Sequence, residues 1–490
     1  MNTKHAPQAQ PIGGTLRLGG FVLLSLAAGL ALACSGCRSS RPGAAAGTDA
    51  LGAGKASPLA ARELPGDAGA GEATIRFLSL RVRSDPEDFA SQNRLAAGLL
   101  QRVRETNDLR YLDRAEQAAR ASLRAVPAPV NFGGLSALAQ VEFASHQFTK
   151  ARDHARRLTQ LDPSKSEFFG MLGDALLELG RYEEASYAHG RMWGLNREGI
   201  GTQTRLAREA TLRGKTEEAR RLLFNALALT LNSPTPPRET VAWCRWQLGE
   251  VAFSHGDYAT AERYYRDAII TFPEDSRALA ALGRVQAARG DIKDAIAQLE
   301  HAARIIPDPN FAAMLGDLYH LAGREREARA QYVLVEQIGR LSRFNGALYN
   351  RQLALFRADH GLKAGQALAD ARREYQARQD IYGADAVAWT ALKAGHLGEA
   401  QQMMKLALRL GTQDARLFYH AGLIERAAKR PNEARKYLQQ ALNLSPGFDP
   451  LQSRIARSTL AKLQSTAAAP ASATASATAS GPAKLETHPA

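Results

Sequence analysis

Between about residues 73 and 464 the apolar positions recur with the period of an amphipathic helix, run after run, and no stretch alternates with the period of two that a strand requires. Short polar breaks such as Gly290-Asp291 separate the runs, so the pattern predicts an all-α body of helices joined by tight turns. One set of spacings then repeats. Leu248-Gly249, Leu282-Gly283 and Leu315-Gly316 are each followed twelve residues after the Gly by Ala261, Ala295 and Ala328. Two antiparallel helices approach closely only where side chains are small, so each Gly/Ala pair predicts a helical crossing. One hairpin cannot cover its own apolar face; the units must stack on their neighbours.

The first strong unit runs through Leu248, Gly249, Ala261, Tyr265, Ala268 and Pro273, and the next through Leu282, Gly283, Ala295, Leu299, Ala302 and Pro307. A third has Leu315, Gly316, Tyr319, Ala328 and Tyr332, and near the C-terminus Gly422, Ala434, Leu438, Ala441 and Pro446 restore the spacing. This pattern resembles the tetratricopeptide repeat, with best units at 242–275, 276–308, 309–341 and 415–448 and about ten units over 73–464. Weaker units carry Leu138, Ala139 and Ala151; Leu172, Gly173 and Ala185; and Leu206, Ala207 and Ala219. The segments Asp85–Pro127, Phe344–Gln379 and Asp385–Leu410 fit more loosely. The resemblance implies a right-handed superhelical solenoid, with a closing helix expected over Asp449–Leu463.

The concave face of such a solenoid is built by the first helix of each pair, with an exposed ridge at i, i+3, i+7 and i+10. In the best-defined unit these are Trp243, Trp246, Glu250 and Phe253, an aromatic stripe suited to a peptide or an apolar helix. The same rings could instead pack on the neighbouring unit or lie under Asn232–Pro237. Comparable positions hold Arg277 and Arg284, then Asn310, Asp317 and His320, then Tyr419 and Arg426. Some members of the repeat family clamp a peptide's terminal carboxylate with Lys, Arg and Asn, but this stripe mixes aromatics, acids and scattered Arg. The partner-binding candidates are therefore Trp243, Trp246, Glu250, Phe253, Arg284 and Tyr419, for a protein or peptide whose identity the stripe leaves open.

Residues 1–33 read as an export signal: Lys4 and Arg17 are the only charges, and Leu18–Ala33 is an apolar run of 16 residues, short of the roughly 20 of a spanning helix. It ends Ala31-Leu32-Ala33-Cys34, which resembles a bacterial lipobox and implies acylation of Cys34 after cleavage. Ala31 stands where Leu is preferred, so release of a soluble chain stays open, and Cys37 is a second, weaker candidate. Residues 34–72, rich in Ala, Gly and Pro, read as a flexible tether, and 465–490 as a disordered tail. Within the tether, Gly52–Ser57 lacks the Ser/Thr and first Gly of a phosphate loop and follows no strand.

The formal charge is +14; without the leader's Lys4 and Arg17 it is +12. The cations are spread along the chain rather than gathered with aromatics into a nucleic-acid stripe, and read as solvated helix faces. Cys244 alone of the three Cys lies in the body, as a small buried thiol. His189, His255, His301 and His420 are scattered singly, and no metal helix, nucleophile elbow or dinucleotide loop occurs. The sequence predicts no enzyme, no cofactor and no metal. It predicts a lipid-anchored, periplasm-facing scaffold for protein interaction in envelope assembly, secretion or polymer export. A secreted receptor holding a polysaccharide or small ligand through Trp243, Trp246 and Phe253 is the alternative, and self-association a third reading.

Overall fold

The computed structural model describes residues 68–106, 108–344 and 351–468. The export signal, Cys34, Cys37, Gly52–Ser57, most of the tether and most of the tail lie outside them. The described residues form helices and turns with no strand. After α1 (Ala68–Ser84), successive helices pair as hairpins. The first five pairs are α2 (Phe89–Thr106) with α3 (Arg110–Ala125), α4 (Phe132–Ala144) with α5 (Phe148–Leu161), α6 (Ser166–Glu178) with α7 (Tyr182–Leu195), α8 (Ile200–Leu212) with α9 (Thr216–Leu231), and α10 (Arg238–Ser254) with α11 (Tyr258–Thr271). The next five are α12 (Ser276–Arg289) with α13 (Ile292–Ile305), α14 (Pro309–Leu321) with α15 (Glu325–Phe344), α16 (Arg351–Asp359) with α17 (Ala364–Ala377), α18 (Ile381–Lys393) with α19 (Leu397–Ala407), and α20 (Ala415–Ala427) with α21 (Pro431–Leu444). The last helix, α22 (Gln452–Ala468), packs on α21. Each pair also packs on the next, which makes the molecule an α-solenoid.

Local chemistry sets the boundaries. Pro cannot continue a helix, so α11 stops at Thr271 before Pro273 and α13 at Ile305 before Pro307. An Asp just beyond restarts the chain: Asp275 caps Arg277 and Ala278, and Asp308 caps Asn310. Asp380 and Asp414 cap α18 and α20 in the same way. Inside a hairpin the turn is a left-handed residue, as at Gly290 with φ +97°.

The crossings lie at the repeat's small residues. Ala261, Ala295, Ala328 and Ala434 are fully buried. A Cβ on Gly249 or Gly316 would run into the ring of Tyr265 or Tyr332, and one on Gly422 would stand 2.8 Å from Leu438 Cγ. At Gly283 it would lie 2.9 Å from the Ala295 carbonyl and 3.2 Å from Leu299 Cγ. The pair picked out by spacing thus lies at a close helix approach in its hairpin.

Candidate functional site

A cavity of about 1860 Å³, touched by residues from Thr106 to Phe448, is lined largely by first helices, with second-helix residues such as Glu116, Leu223 and Leu299 and the connecting loops completing it. Trp243, Trp246, Glu250, Phe253 and Arg284 all border it; Tyr419 does not. Of the two readings of the aromatic stripe, Trp243 and Phe253 follow the one that packs them on the neighbouring unit rather than on an exposed ridge. Trp243 is 5% exposed and Phe253 6%, because both rings are packed into the core between neighbouring units. Tyr419 is fully buried and donates its hydroxyl to Gln452 at 2.6 Å, tying α20 to α22. Trp246, Glu250 and Arg284 are the half-buried members left on the wall.

Glu250 and Arg284 belong to one polar network with Tyr265. Arg284 reaches Glu250 at 2.6 Å and the Tyr265 hydroxyl at 3.2 Å, while Tyr265 donates to Glu250 at 2.7 Å. The guanidinium also lies 4.1 Å over the Phe253 ring. Burial opposes the charge on Arg284, but Glu250 and Tyr265 outweigh it and hold the group firmly protonated. Arg277 sits 5.6 Å over Trp246 and pairs with Asp275 at 3.0 Å and Glu239 at 3.3 Å.

The same device recurs from unit to unit, on the cavity wall and beside it. Asp174 and Glu178 of α6 pair with Arg205 and Arg208 of α8, Asp317 of α14 with His360 just beyond α16, and Asp385 of α18 with His420 of α20. Each joins a first helix to the next unit, at its first helix or, for His360, just past that helix's end. Much of the charge on the concave wall is therefore used internally, fixing unit to unit, which the sequence reading missed. A signal existed: acid and base recur at first-helix positions about one repeat apart.

Cys244 is fully buried in α10, and burial pushes its thiol up to about 12. His189 and His420 are buried and pair with carboxylates. Among the described residues no group of three or more His, Cys, Asp or Glu could hold a metal ion, and no helix is long and apolar enough to cross a membrane.

Fold and wall together define a helical-repeat scaffold of the kind that mediates protein interactions. Tetratricopeptide-repeat family models match residues 136–193, 252–318 and 387–447, and nothing in these matches points to an enzyme. No curated protein matches in sequence. Among solved structures the chain is similar to PilW, described as a widely conserved type IV pilus biogenesis factor, with 14% identity and a TM-score of 0.37 over 41% of this chain and 91% of that one. It is also similar to a tetratricopeptide repeat protein from Parabacteroides merdae, with 17% identity and a TM-score of 0.37 over 50% of this chain and 93% of the other.

Proposed function

We propose that this protein is a non-catalytic scaffold at the bacterial cell envelope, anchored by lipid on Cys34, that holds a protein or peptide partner in its central cavity. One observation carries the reading: a large cavity lined mainly by first helices of stacked repeats is bordered by half-buried Trp246, Glu250 and Arg284. An aromatic ring beside a paired charge is the composition of an interface anchor. The apolar run Leu18–Ala33 followed by Cys34 supports the address. Assembly, secretion or polymer export is the setting in which such a tethered display surface acts, and its mechanism is positioning rather than chemistry.

The test is a crosslinked pull-down from the native host, with mass spectrometry of the protein's own N-terminus. An acylated Cys34 and an envelope protein whose capture is lost in Trp246→Ala, with the variant's melting midpoint retained, support the proposal. An unmodified soluble chain that binds saccharide and captures no protein replaces it with the secreted receptor.

A further inference from the structure

Three turns of the early units meet three connections of the late ones. The α6–α7 turn touches the α17–α18 connection: the Ile381 N–H donates to the Tyr182 hydroxyl at 2.8 Å, and Glu178 pairs with Arg378. The α8–α9 turn touches the α19–α20 connection, where Thr412 Oγ1 donates to the Leu212 carbonyl. The α10–α11 turn touches the α21–α22 connection: Ser445 Oγ donates to the Phe253 carbonyl at 3.0 Å, and the Gly447 N–H to the Tyr258 hydroxyl at 2.6 Å. The partners stand 199, 200, 192 and 189 residues apart. Each junction is one repeat further along both edges. Ile381, Thr412 and Ser445 are all buried there.

Glycine makes the approach possible. Gly180, Gly214 and Gly256 occupy the three turns with positive φ. A Cβ on Gly180 would strike the Gln379 carbonyl, one on Gly214 the Gly411 carbonyl, and one on Gly256 would lie 3.1 Å from the Leu444 carbonyl. Gly290, Gly323 and Gly395 occupy equivalent turns with positive φ and meet nothing within 4 Å.

We propose that these three junctions form a latch closing the solenoid on itself after one superhelical turn, so that the concave face lines a closed channel and unlatching the seam is the motion that opens it to a large partner. The seam's ties are hydrogen bonds and ion pairs between loops, beside one small apolar contact where Ile381 packs among Leu177, Tyr182 and Leu212, so its opening requires these ties to part together while each coil keeps its own larger core. The latch stands independently of what the cavity binds.

Asn tolerates the left-handed conformation, so Gly→Asn adds bulk without undoing the turn. The experiment compares Gly180→Asn/Gly214→Asn/Gly256→Asn with the matched control Gly290→Asn/Gly323→Asn/Gly395→Asn. Small-angle scattering should show a larger maximum dimension for the seam triple alone, and hydrogen exchange should show lost protection at 379–381, 411–413 and 445–447. Identical scattering and exchange in both triples would overturn the latch, as would wild-type scattering that already fits an open spiral.

Access is read from Asn310→Cys, a cavity-lining and exposed position, in a chain carrying Cys34→Ser and Cys37→Ser. A polymer-linked maleimide should react about tenfold faster with the seam triple than with the latched chain, while a small maleimide reacts alike with both. Equal rates with the bulky reagent would sink the gating role. Should the seam triple fail to fold, Thr412→Val with Tyr258→Phe removes hydrogen bonds without adding bulk. Faster exchange at 411–413 and 445–447 then supports the latch, and unchanged exchange overturns it.

Discussion

At the residue scale, single atoms decide whether neighbouring helices meet. Ala295 is fully buried where its carbonyl faces Gly283, so Ala295→Asp places a carboxylate there with no counter-charge. The expected cost is about 3 kcal/mol or more, checked by denaturant unfolding; an unchanged midpoint would contradict the placement. His146 illustrates the reach of the tertiary fold. Burial first, then the charge of Arg378, with a smaller contribution from Arg351 and opposition from Glu178, depresses its imidazole to about 4. A depressed group contributes stability that is complete above its ordinary value near 6.5 and is lost as pH falls towards 4. The stability of wild type relative to His146→Asn should therefore be flat above pH 6.5 and shrink by up to about 3 kcal/mol on acidification to pH 4. Parallel pH curves for the two proteins would refute it.

At the element scale the unit is the hairpin, and its glycines do two separate jobs. Gly283 admits a close crossing, with a Cβ there only 2.9 Å from a backbone oxygen that cannot swing away. Gly290 supplies a left-handed turn and has open space around it. Gly283→Ala is expected to destabilise by about 1–3 kcal/mol through overpacking, and Gly290→Ala by about 1 kcal/mol through backbone strain. Equal losses, measured by urea unfolding, would show that the crossing has slack. The Pro that stops a second helix and the Asp that caps the next first helix were legible in the chain as punctuation, because both act within a few residues. The aromatic stripe misled for the opposite reason. Spacing places Trp243, Phe253 and Tyr419 on first helices but does not say how far the adjoining unit covers them, and it covers them almost completely.

For the whole molecule, an open solenoid unfolds by fraying, because each repeat touches only its neighbours. Here Leu212 and Thr412, 200 residues apart, are bonded, so units distant along the chain share their fate. Ala219→Asp, at a fully buried position in α9, should lower hydrogen-exchange protection in the 411–413 connection as well as in its own hairpin. Loss confined to the local hairpin would mean that the two coils unfold separately.

Short-range physics made much of this molecule readable from its residues: an all-α body, hairpins of recurring spacing, their turns and caps, the crossings at Gly249, Gly283, Gly316 and Gly422, and the buried thiol of Cys244. Long-range packing set the rest: which concave side chains stay on the cavity wall, which acids and bases are consumed in tying unit to unit, and where the coil meets itself. Gly180, Gly214 and Gly256 look like Gly290, Gly323 and Gly395 in their local chain, since all six serve the same left-handed turn. What separates them is the small rotation added at each repeat. Summed over a superhelical turn, it brings three of these turns against a distant backbone and leaves the other three in open space.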